Sequence, residues 1–433
     1  MLTTRESSTP TKLIMTGTPP PFPPSRRLQS LDAFRGLTMG AMVLVNNPGS
    51  WSHIYPPLRH APWHGCTPTD LIFPFFLFIV GVSMAFSFAA REPGAPSSGL
   101  VPLTRALTAK ILRRAAVLFA LGLLLALFGP LIDALLKGHW QGLWTIRIPG
   151  VLQRIALCYA IASVIVLTLS LRLQIALGVA SLLTYTAALL TLGPSSDPLG
   201  PSDNLCRTID LAILGRAHVW PAQPTDPEGI LSTLPAIVTT LLGVWVGLIL
   251  RRTGTPASNP SAIAPTTTIT PRRTLNTLAL LAAALIISGH ALSLFLPLNK
   301  SLWTPTYVLY TAGIATATLA AMHLLIDILR LTRWSLPLQV LGLNAILLFV
   351  ASGLVGRLLT AITISTPTTP AFDPASGEIS TSTPLTLKAA MNNALTFTGL
   401  SPINASLTFA LFTLACWTCV LWYLWQRRWF WKV

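Results

Sequence analysis

Charged side chains are scarce in this sequence. Only 10% of its 433 residues are charged, whereas 52% are hydrophobic and the mean hydropathy is +0.64. A soluble globular chain usually carries about 25% charged residues, so the composition excludes an ordinary soluble protein. Acidic residues are the scarcest, with 13 Asp and Glu against 29 Lys and Arg, a net charge of +16. The cations cluster at the ends of apolar runs, as positive-inside topology requires, so we expect no nucleic acid partner.

Cysteine is also rare. The five cysteines are scattered, and their number is odd, so no disulfide framework is predicted. An H-x-x-x-H spacing from His60 to His64 could suggest zinc, but Pro62 interrupts any helix that would put both rings on one face. No third ligand stands out, and we expect no metal.

What the sequence has instead is a series of long apolar runs. Residues 1–25 are polar and proline-rich, which predicts a disordered tail rather than a signal peptide. Residues 26–433 form one polytopic transmembrane domain, whose all-α fold is predicted to contain about ten membrane-spanning helices. The predicted spans are Leu31–Asn46, Asp70–Ala90, Ile111–Ile132, Ile148–Leu169, Leu171–Leu192, Ile230–Leu250, Leu275–Leu298, Leu302–Leu329, Leu336–Leu359 and Asn404–Trp425.

The loop charges predict the orientation. With both termini in the cytoplasm, 19 Lys and Arg lie on the inner side and 8 on the outer side, which favours N-in and C-in. The outer loops Gly193–Gly229 and Thr360–Ile403 could cover a site, whereas the inner loop Thr253–Arg273 is a low-complexity linker.

The stretch LRHAPWHGCTPTDLIFPFFLFIVG, residues 58–81, is the most promising for chemistry. It places His60, Trp63 and His64 in a polar loop and Asp70 at the mouth of an apolar span. Histidine transfers protons near neutral pH or acts as a nucleophile, and a carboxylate can hold its tautomer. The alternative is a pair of interfacial histidines without chemistry. Asn46, which ends the preceding span, could position a carbonyl or an imidazole.

Several cations could bind an anionic ligand. Arg35 can pair with Asp32 one turn away, which could simply ease its insertion into lipid. Arg113 and Arg114 lie at the predicted inner face. Arg154 lies inside an apolar run and needs a partner, which is either Asp70 or a bound phosphate or carbonyl.

Polar residues of the outer loops could bind an acceptor. Asp226 and Glu228 could bind an amine, although D-P-E-G is also a helix-start signal, with Asp as the N-cap. Asn299, Lys300 and Trp303 form a tight turn that either anchors the membrane interface or grips a ligand.

Taken together, these motifs resemble one family. The blocks LDAFRG, HAPWHG with TPTDLIFPFFLFIVG, RIPGVLQR, DPEGIL, LNKSLW and the closing FWKV occur in the order found in heparan-α-glucosaminide N-acetyltransferases. The resemblance covers nearly the whole chain after Arg26. It implies that His60 is the active-site histidine and that Asn46 matches an asparagine of the family. From the resemblance we expect a member without the lumenal domain of the lysosomal protein and with a longer loop between these two residues.

The resemblance implies an acetyltransferase that moves an acetyl group from cytosolic acetyl-CoA to an amino sugar or other sugar on the outer side of the membrane. Expected partners are the lipid bilayer, acetyl-CoA and a carbohydrate acceptor, with a homodimer as the candidate assembly and the inner (plasma) membrane as the location. Cofactor-binding candidates are Arg35, Arg113, Arg114 and Arg154. The alternative is a transporter of a small anionic or sugar-linked solute without covalent chemistry. We further expect a tunnel from a basic inner mouth to His60, with Asn46, Asp70 and Arg154 along it.

Overall fold

The structure is a computed structural model that describes residues 28–88, 102–193, 197–251, 270–372 and 379–431, without the side chains of 365–384. The predicted disordered tail, residues 1–25, and most of the inner linker Thr253–Arg273 lie outside the described residues.

The described chain folds into thirteen α-helices and one β-hairpin. The helices are α1 Gln29–Asn46, α2 Ile72–Ser87, α3 Arg105–Lys137, α4 Val151–Thr168, α5 Leu171–Thr191, α6 Leu205–Leu214, α7 Thr233–Arg251, α8 Pro271–Leu292, α9 Pro305–Met322, α10 Leu336–Leu343, α11 Ala345–Ala361, α12 Leu387–Phe397 and α13 Pro402–Gln426. A π-helical turn, His323–Ile328, extends α9. The antiparallel strands are β1 Thr363–Phe372 and β2 Ile379–Thr386, with an irregularity between Pro367 and Ala371.

The predicted all-α, multi-pass membrane fold is confirmed. Among the described residues, eight helices are long and apolar enough to cross a membrane, and α10 with α11 makes a ninth span if this pair, bent by 78°, counts as one. The remaining predicted span is α1, which is helical but more polar than the others because Asp32 and Arg35 lie in its first two turns. It stays a predicted span.

The centre of the bundle is the pair α2 and α7. Their apolar windows are 67% and 72% buried, against 17–22% for α3, α5, α8 and α13, whose exposed leucines form the outer surface. Glycines let the two central helices touch. A Cβ on Gly81 would lie 2.0 Å from the carbonyl oxygen of Thr240, and one on Gly243 would lie 2.1 Å from that of Phe78. Small residues permit this close backbone approach in membrane helices, and it fixes the position of α2.

A second close crossing positions α1 against α10. A Cβ on Gly342 would lie 2.0 Å from the carbonyl oxygen of Asp32, and Gly36 meets the backbone of Leu338 in the same way. The helix is interrupted directly after α10, at Asn344, and we call this point the break. The crossing therefore holds Arg35 of α1 close to the break.

Candidate active site

The first turn before α2 fixes the position of Asp70. Thr67 and Asp70 form a capping box around the 3₁₀ turn Pro68–Leu71, with proline at its first position. The Oδ2 atom of Asp70 accepts hydrogen bonds from Thr67 N (3.1 Å), Thr67 Oγ1 (3.0 Å) and Ala61 N (3.0 Å). A T-x-x-D sequence before an apolar run is the usual signal for this motif. It leaves Oδ1 free to act on a further partner.

That partner is His60. Its Nδ1 lies 2.7 Å from Asp70 Oδ1, and the carboxylate is buried while the imidazole side chain is 48% exposed. A carboxylate that accepts a hydrogen bond from Nδ1–H leaves the Nε2 lone pair available. The structure thus puts one orienting group below the ring and leaves the other side of the ring open.

Lys300 completes the cluster from the turn between α8 and α9. Its Nζ lies 3.1 Å from His60 Nδ1, 3.4 Å from His60 Nε2 and 3.6 Å from Asp70 Oδ1. Burial lowers the pKa of the Lys300 ammonium, although the carboxylates of Asp70 and Glu228 oppose this. Burial and the Asp70 charge also raise the pKa of the nearby Cys66 thiol to about 12. A thiol held protonated is a poor nucleophile, so His60 is the better candidate.

Trp63, His64 and Asn299 form a polar rim beside this cluster. The indole N–H of Trp63 donates to the carbonyl of Leu199 at 2.8 Å, while Asn299 Nδ2 contacts the Trp63 carbonyl (3.1 Å) and His64 Nδ1 (3.3 Å). Partial burial lowers the pKa of His64, against the charge of Asp197. His64 therefore belongs to a different hydrogen-bond group from His60.

Beneath the cluster, an aromatic layer closes the bundle. Trp303 is fully buried, with its ring edge-to-face against Phe73 (5.1 Å) and Tyr307 (5.3 Å) and its indole N–H bonded to Thr239 Oγ1 at 3.1 Å. The hydroxyl of Tyr307 donates to the Asp70 carbonyl at 2.5 Å. Trp303 also has a φ of +51°, which is uncommon for a bulky residue. We call Phe73, Trp303 and Tyr307, together with Arg154, the wall.

Arg154 lies in the wall, with its guanidinium 5.2 Å from the Trp303 ring and 6.0 Å from the Phe73 ring. Its Nη2 donates to Gly229 O and Ser232 Oγ at 2.8 and 2.5 Å. Within the described part of the chain, Nε and Nη1 are buried without hydrogen-bond partners. The expected structural partner, Asp70, is therefore not what holds Arg154. Buried donors that lack a partner carry a substantial free-energy cost, so a ligand or water that accepts from them would be stabilised.

Asp226 and Glu228 both bind Arg147. The guanidinium Nε donates to Asp226 Oδ2 at 2.9 Å, its Nη2 contacts both carboxylates, and its plane lies 4.4 Å from the Trp220 ring. The interpretation of Asp226 as a helix N-cap is wrong, because α7 begins only at Thr233 and the carboxylate is instead occupied by Arg147 and the backbone N–H groups of Trp220 and Glu228.

On the far side of the wall is a cavity of about 250 Å³. Its apolar lining comes from α1, α2, α3, α4, α10 and α11 and includes Met39, Phe76, Ile79 and Leu118. Two cations also line it. Arg35 bonds Asp32 Oδ1 at 2.8 Å and Ser83 Oγ at 2.9 Å, while Arg114 lies 5.0 Å above the Tyr159 ring with a buried Nε that has no hydrogen-bond partner among the described residues.

The cavity does not reach His60. Among the described residues, its lining ends at Phe76 on α2 and at Val151 and Leu152 on α4, and it includes neither Asp70 nor Arg154. Six residues separate Asp70 from Phe76, which is about 9 Å along a helix. This cavity therefore does not by itself form the tunnel to His60 that we expected, and the residues of the wall are not part of its lining in the described chain.

Two candidates lie outside both groups. Asn46 is exposed at the end of α1 and makes no hydrogen bond from its side chain within the described residues, whereas the adjacent Asn47 is buried and donates to Val43 O at 2.8 Å. Arg113 is exposed and absent from the cavity lining of the described chain. Their assigned roles stay predictions. The described residues contain no group of three or more His, Cys, Asp or Glu that could hold a metal.

Sequence reasoning did not single out Tyr307, Arg147 as the partner of Asp226, or Trp431 in the cavity lining. The one available signal was their position, since Arg147 and Trp431 lie inside the recognised blocks RIPGVLQR and FWKV.

Comparisons with known proteins show which proteins this chain is similar to. A family model described as heparan-alpha-glucosaminide N-acetyltransferase, catalytic, matches residues 27–282, a range that contains His60, Asp70 and Arg154. The human protein named heparan-alpha-glucosaminide N-acetyltransferase is 30% identical over 378 residues, which cover 75% of this chain and 52% of the relative. The mouse protein of the same name is 28% identical, with 75% and 53% covered. The chain spans about half the length of these curated relatives.

Proposed function

Because this chain belongs to the heparan-α-glucosaminide N-acetyltransferase family, we propose that it is a membrane acetyltransferase that uses acetyl-CoA and acetylates an amino sugar or another sugar. The observation that carries this proposal is the half-exposed His60 ring, oriented at 2.7 Å by the buried carboxylate of Asp70. Such a pair is suited to proton transfer or to covalent catalysis.

The inner cavity is the proposed donor site. Acetyl-CoA supplies an activated acetyl thioester on a long, narrow, uncharged arm attached to a phosphorylated nucleotide. The lining fits both parts, since Arg35 and Arg114 offer guanidinium groups to phosphate oxygens and Met39, Phe76 and Ile79 offer an apolar channel. The buried, unpartnered Nε of Arg114 supports an anionic ligand there.

His60 Nε2 is the proposed reacting atom on the other side of the wall. As a base, it takes the proton of the acceptor amine or hydroxyl while the acceptor bonds to the carbonyl carbon, the carbon–sulfur bond breaks and the thiolate of CoA leaves. As a nucleophile, Nε2 first bonds to the carbonyl carbon while the carbon–sulfur bond breaks and the CoA thiolate leaves. The acceptor then bonds to that carbon, the bond to Nε2 breaks, and the freed Nε2 takes the acceptor's proton. In both routes Asp70 holds Nδ1, and Lys300 is close enough to donate to negative charge that develops beside the ring.

Arg154 is the proposed link between the two sites. Its unpartnered Nε and Nη1 support binding of a carbonyl oxygen once the thioester reaches the wall. The aromatic wall must rearrange for this contact, since no lining residue of the cavity, in the part of the chain described, belongs to it. A transporter, the alternative function, would need a path for its solute through the same wall. The wall therefore does not favour a transporter over an acetyltransferase.

The rim is the proposed acceptor site. Trp63, His64 and Asn299 of the rim, together with Lys300 beside the His60 ring, offer an aromatic face and polar groups to a sugar. Asp226 and Glu228 would act by holding Arg147 and Trp220, and Trp303 by supporting Lys300 from below. The charge bias of the loops supports a location of this rim on the outer side of the inner (plasma) membrane, with the cavity opening to the cytoplasm.

Acetyl transfer by purified protein tests the proposal. Labelled acetyl-CoA is supplied with glucosamine, galactosamine, mannosamine or their N-acetylated forms, with His60→Ala as the control. We expect label on at least one free amino sugar with wild type and none with the variant. Absence of transfer to every acceptor, combined with uptake of a labelled sugar or anion into proteoliposomes, would identify a transporter instead.

A further inference from the structure

The segment that follows α13 folds back against the break between α10 and α11. The amide of Asn344 holds it there: Nδ2 donates to the carbonyl of Trp429 at 3.1 Å, and Oδ1 accepts from the backbone N–H of Trp431 at 3.0 Å. Asn344 is buried. The side-chain amide of Asn344 thus both donates to and accepts from this short segment, which fixes the backbone of Trp431.

The break itself is part of the cavity. Leu343 ends α10, Ala345 and Ile346 begin α11, and all three line the cavity together with Trp431. The 78° bend at Asn344 therefore brings α11 and the segment after α13 to the same side of the donor site. Asn344 is the residue that joins them.

Trp431 lies at the mouth of the cavity, because it lines the cavity and is still 45% exposed. Ser87 and Phe88, at the end of α2 that points away from Asp70, also line this region. The lining thus combines an aromatic ring at the mouth with the guanidinium groups of Arg35 and Arg114, and these groups are complementary to the base and the phosphates of a nucleotide. A purine base stacks on an aromatic ring, and its phosphates pair with guanidinium groups.

We infer that Trp431 stacks on the adenine of the donor nucleotide and that Asn344 is a positioning residue that holds Trp431 for this contact. The inference rests on the proposed function, since it requires that the cavity hold the donor. It adds a specificity device: the chain recognises the base, and not only the phosphates and the thioester.

The competing explanation is that Trp431 is an ordinary anchor at the membrane interface, where tryptophan is common. Trp429 provides the matched control. It lies two residues away on the same segment, is 64% exposed, and is absent from the cavity lining in the described chain. An interface anchor would make the two tryptophans equivalent in ligand binding.

Binding of 3′,5′-ADP, which carries the adenine and phosphates without the thioester arm, is measured by calorimetry on the purified protein. We expect Trp431→Ala to weaken binding by about 10-fold or more, as base–aromatic stacking predicts. Trp431→Phe keeps a stacking face and should bind nearly as well as wild type, and Trp429→Ala should match wild type. Equal affinities of Trp431→Ala and wild type would overturn the inference, as would the absence of any nucleotide binding.

Two further readouts separate this inference from the proposed function. Trp431→Ala should raise KM for acetyl-CoA but leave kcat/KM for acetyl-pantetheine, which lacks the nucleotide, unchanged. Asn344→Ala alone should raise KM for acetyl-CoA. Added to Trp431→Ala, it should raise this KM no further, since a positioning residue acts only through its partner. If Trp431→Ala leaves KM for acetyl-CoA unchanged while acetyl transfer is intact, the inference fails and the proposed function stands. If Trp431-dependent nucleotide binding is found without any acetyl transfer, the proposed function fails instead.

Discussion

The rim side of the wall and the cavity side are built in opposite ways. On the rim side, Asp70 accepts hydrogen bonds from Ala61, Thr67 and His60, so its carboxylate is fully occupied. On the cavity side, about 250 Å³ is open, and Arg114 keeps a buried Nε without a hydrogen-bond partner among the described residues. The first region orients one ring, and the second has the open volume and the cations that the proposed donor site requires.

The difference indicates where specificity and chemistry lie. A preorganised hydrogen-bond cluster positions reacting atoms without a cost at the moment of reaction, whereas an open cationic cavity gains its interactions only when a ligand arrives. Substitutions of His60 or Asp70 should therefore change kcat, and substitutions on the cavity side should change KM for the donor.

The largest effect is expected at His60. His60→Ala removes the oriented imidazole and should lower kcat by about 10²–10⁴-fold, the usual contribution of a positioned acid or base. Steady-state transfer of labelled acetyl groups measures this effect. His64→Ala is the matched control, since His64 bonds Asn299 rather than Asp70, and it should leave kcat unchanged. If His64→Ala abolished acetyl transfer while His60→Ala retained it, His64 rather than His60 would be the catalytic residue.

A smaller effect is expected in the cavity. Arg114→Gln removes a charge-assisted contact to phosphate and should raise KM for acetyl-CoA by about 10–100-fold, with little change in kcat. The neighbouring Arg113 is exposed and absent from the lining in the described chain, so Arg113→Gln should behave as wild type. Titration of initial rates with acetyl-CoA gives both constants. Equal KM values for the two variants would place the donor elsewhere.

The smallest effect concerns stability near the wall. Burial raises the pKa of Asp210 to about 6, against the charges of Arg154 and Arg147. Because the folded-state pKa lies above the unfolded value, stability from the protonated group is present below about pH 4 and is lost as the pH rises to about 6. Between pH 4.5 and 7.5 this loss is at most about 2 kcal/mol.

Asp210→Asn removes this titration while its amide oxygen can still accept from Ile230 N. Thermal melts in detergent should show that the melting temperature of the variant, relative to that of wild type, is higher at pH 7.5 than at pH 4.5. A difference between the two proteins that stays constant with pH would mean that Asp210 is charged at both values.

The sequence was sufficient for the local features. Apolar runs long enough for a bilayer predict the helices, and the loop histidines followed by Asp70 predict a carboxylate beside an imidazole. The structure puts Asp70 on His60. The catalytic role of His60 stays a prediction that the family match supports and that no contact alone establishes.

The long-range contacts could not be predicted. Lys300 reaches His60 across 240 residues, and its turn looks like an interface anchor in the sequence. Trp303 has the same appearance but is fully buried. The D-P-E-G signal was misread because a helix cap and an ion pair with Arg147 use the same carboxylate, and only the fold decides between them. The wall is likewise formed by residues from α2, α4, α9 and the turn before α9.

The central claim is that the acetyl group crosses the wall, from a donor on the Arg114 side to an acceptor on the His60 side. Sealed proteoliposomes with amino sugar trapped inside and labelled acetyl-CoA added outside test it directly, with protein orientation scored by a reporter after Val433. We predict acetylated sugar inside only those vesicles whose Arg114 side faces outward, and no product when acetyl-CoA and acceptor share one side. Product that requires both substrates on the same side would contradict the account.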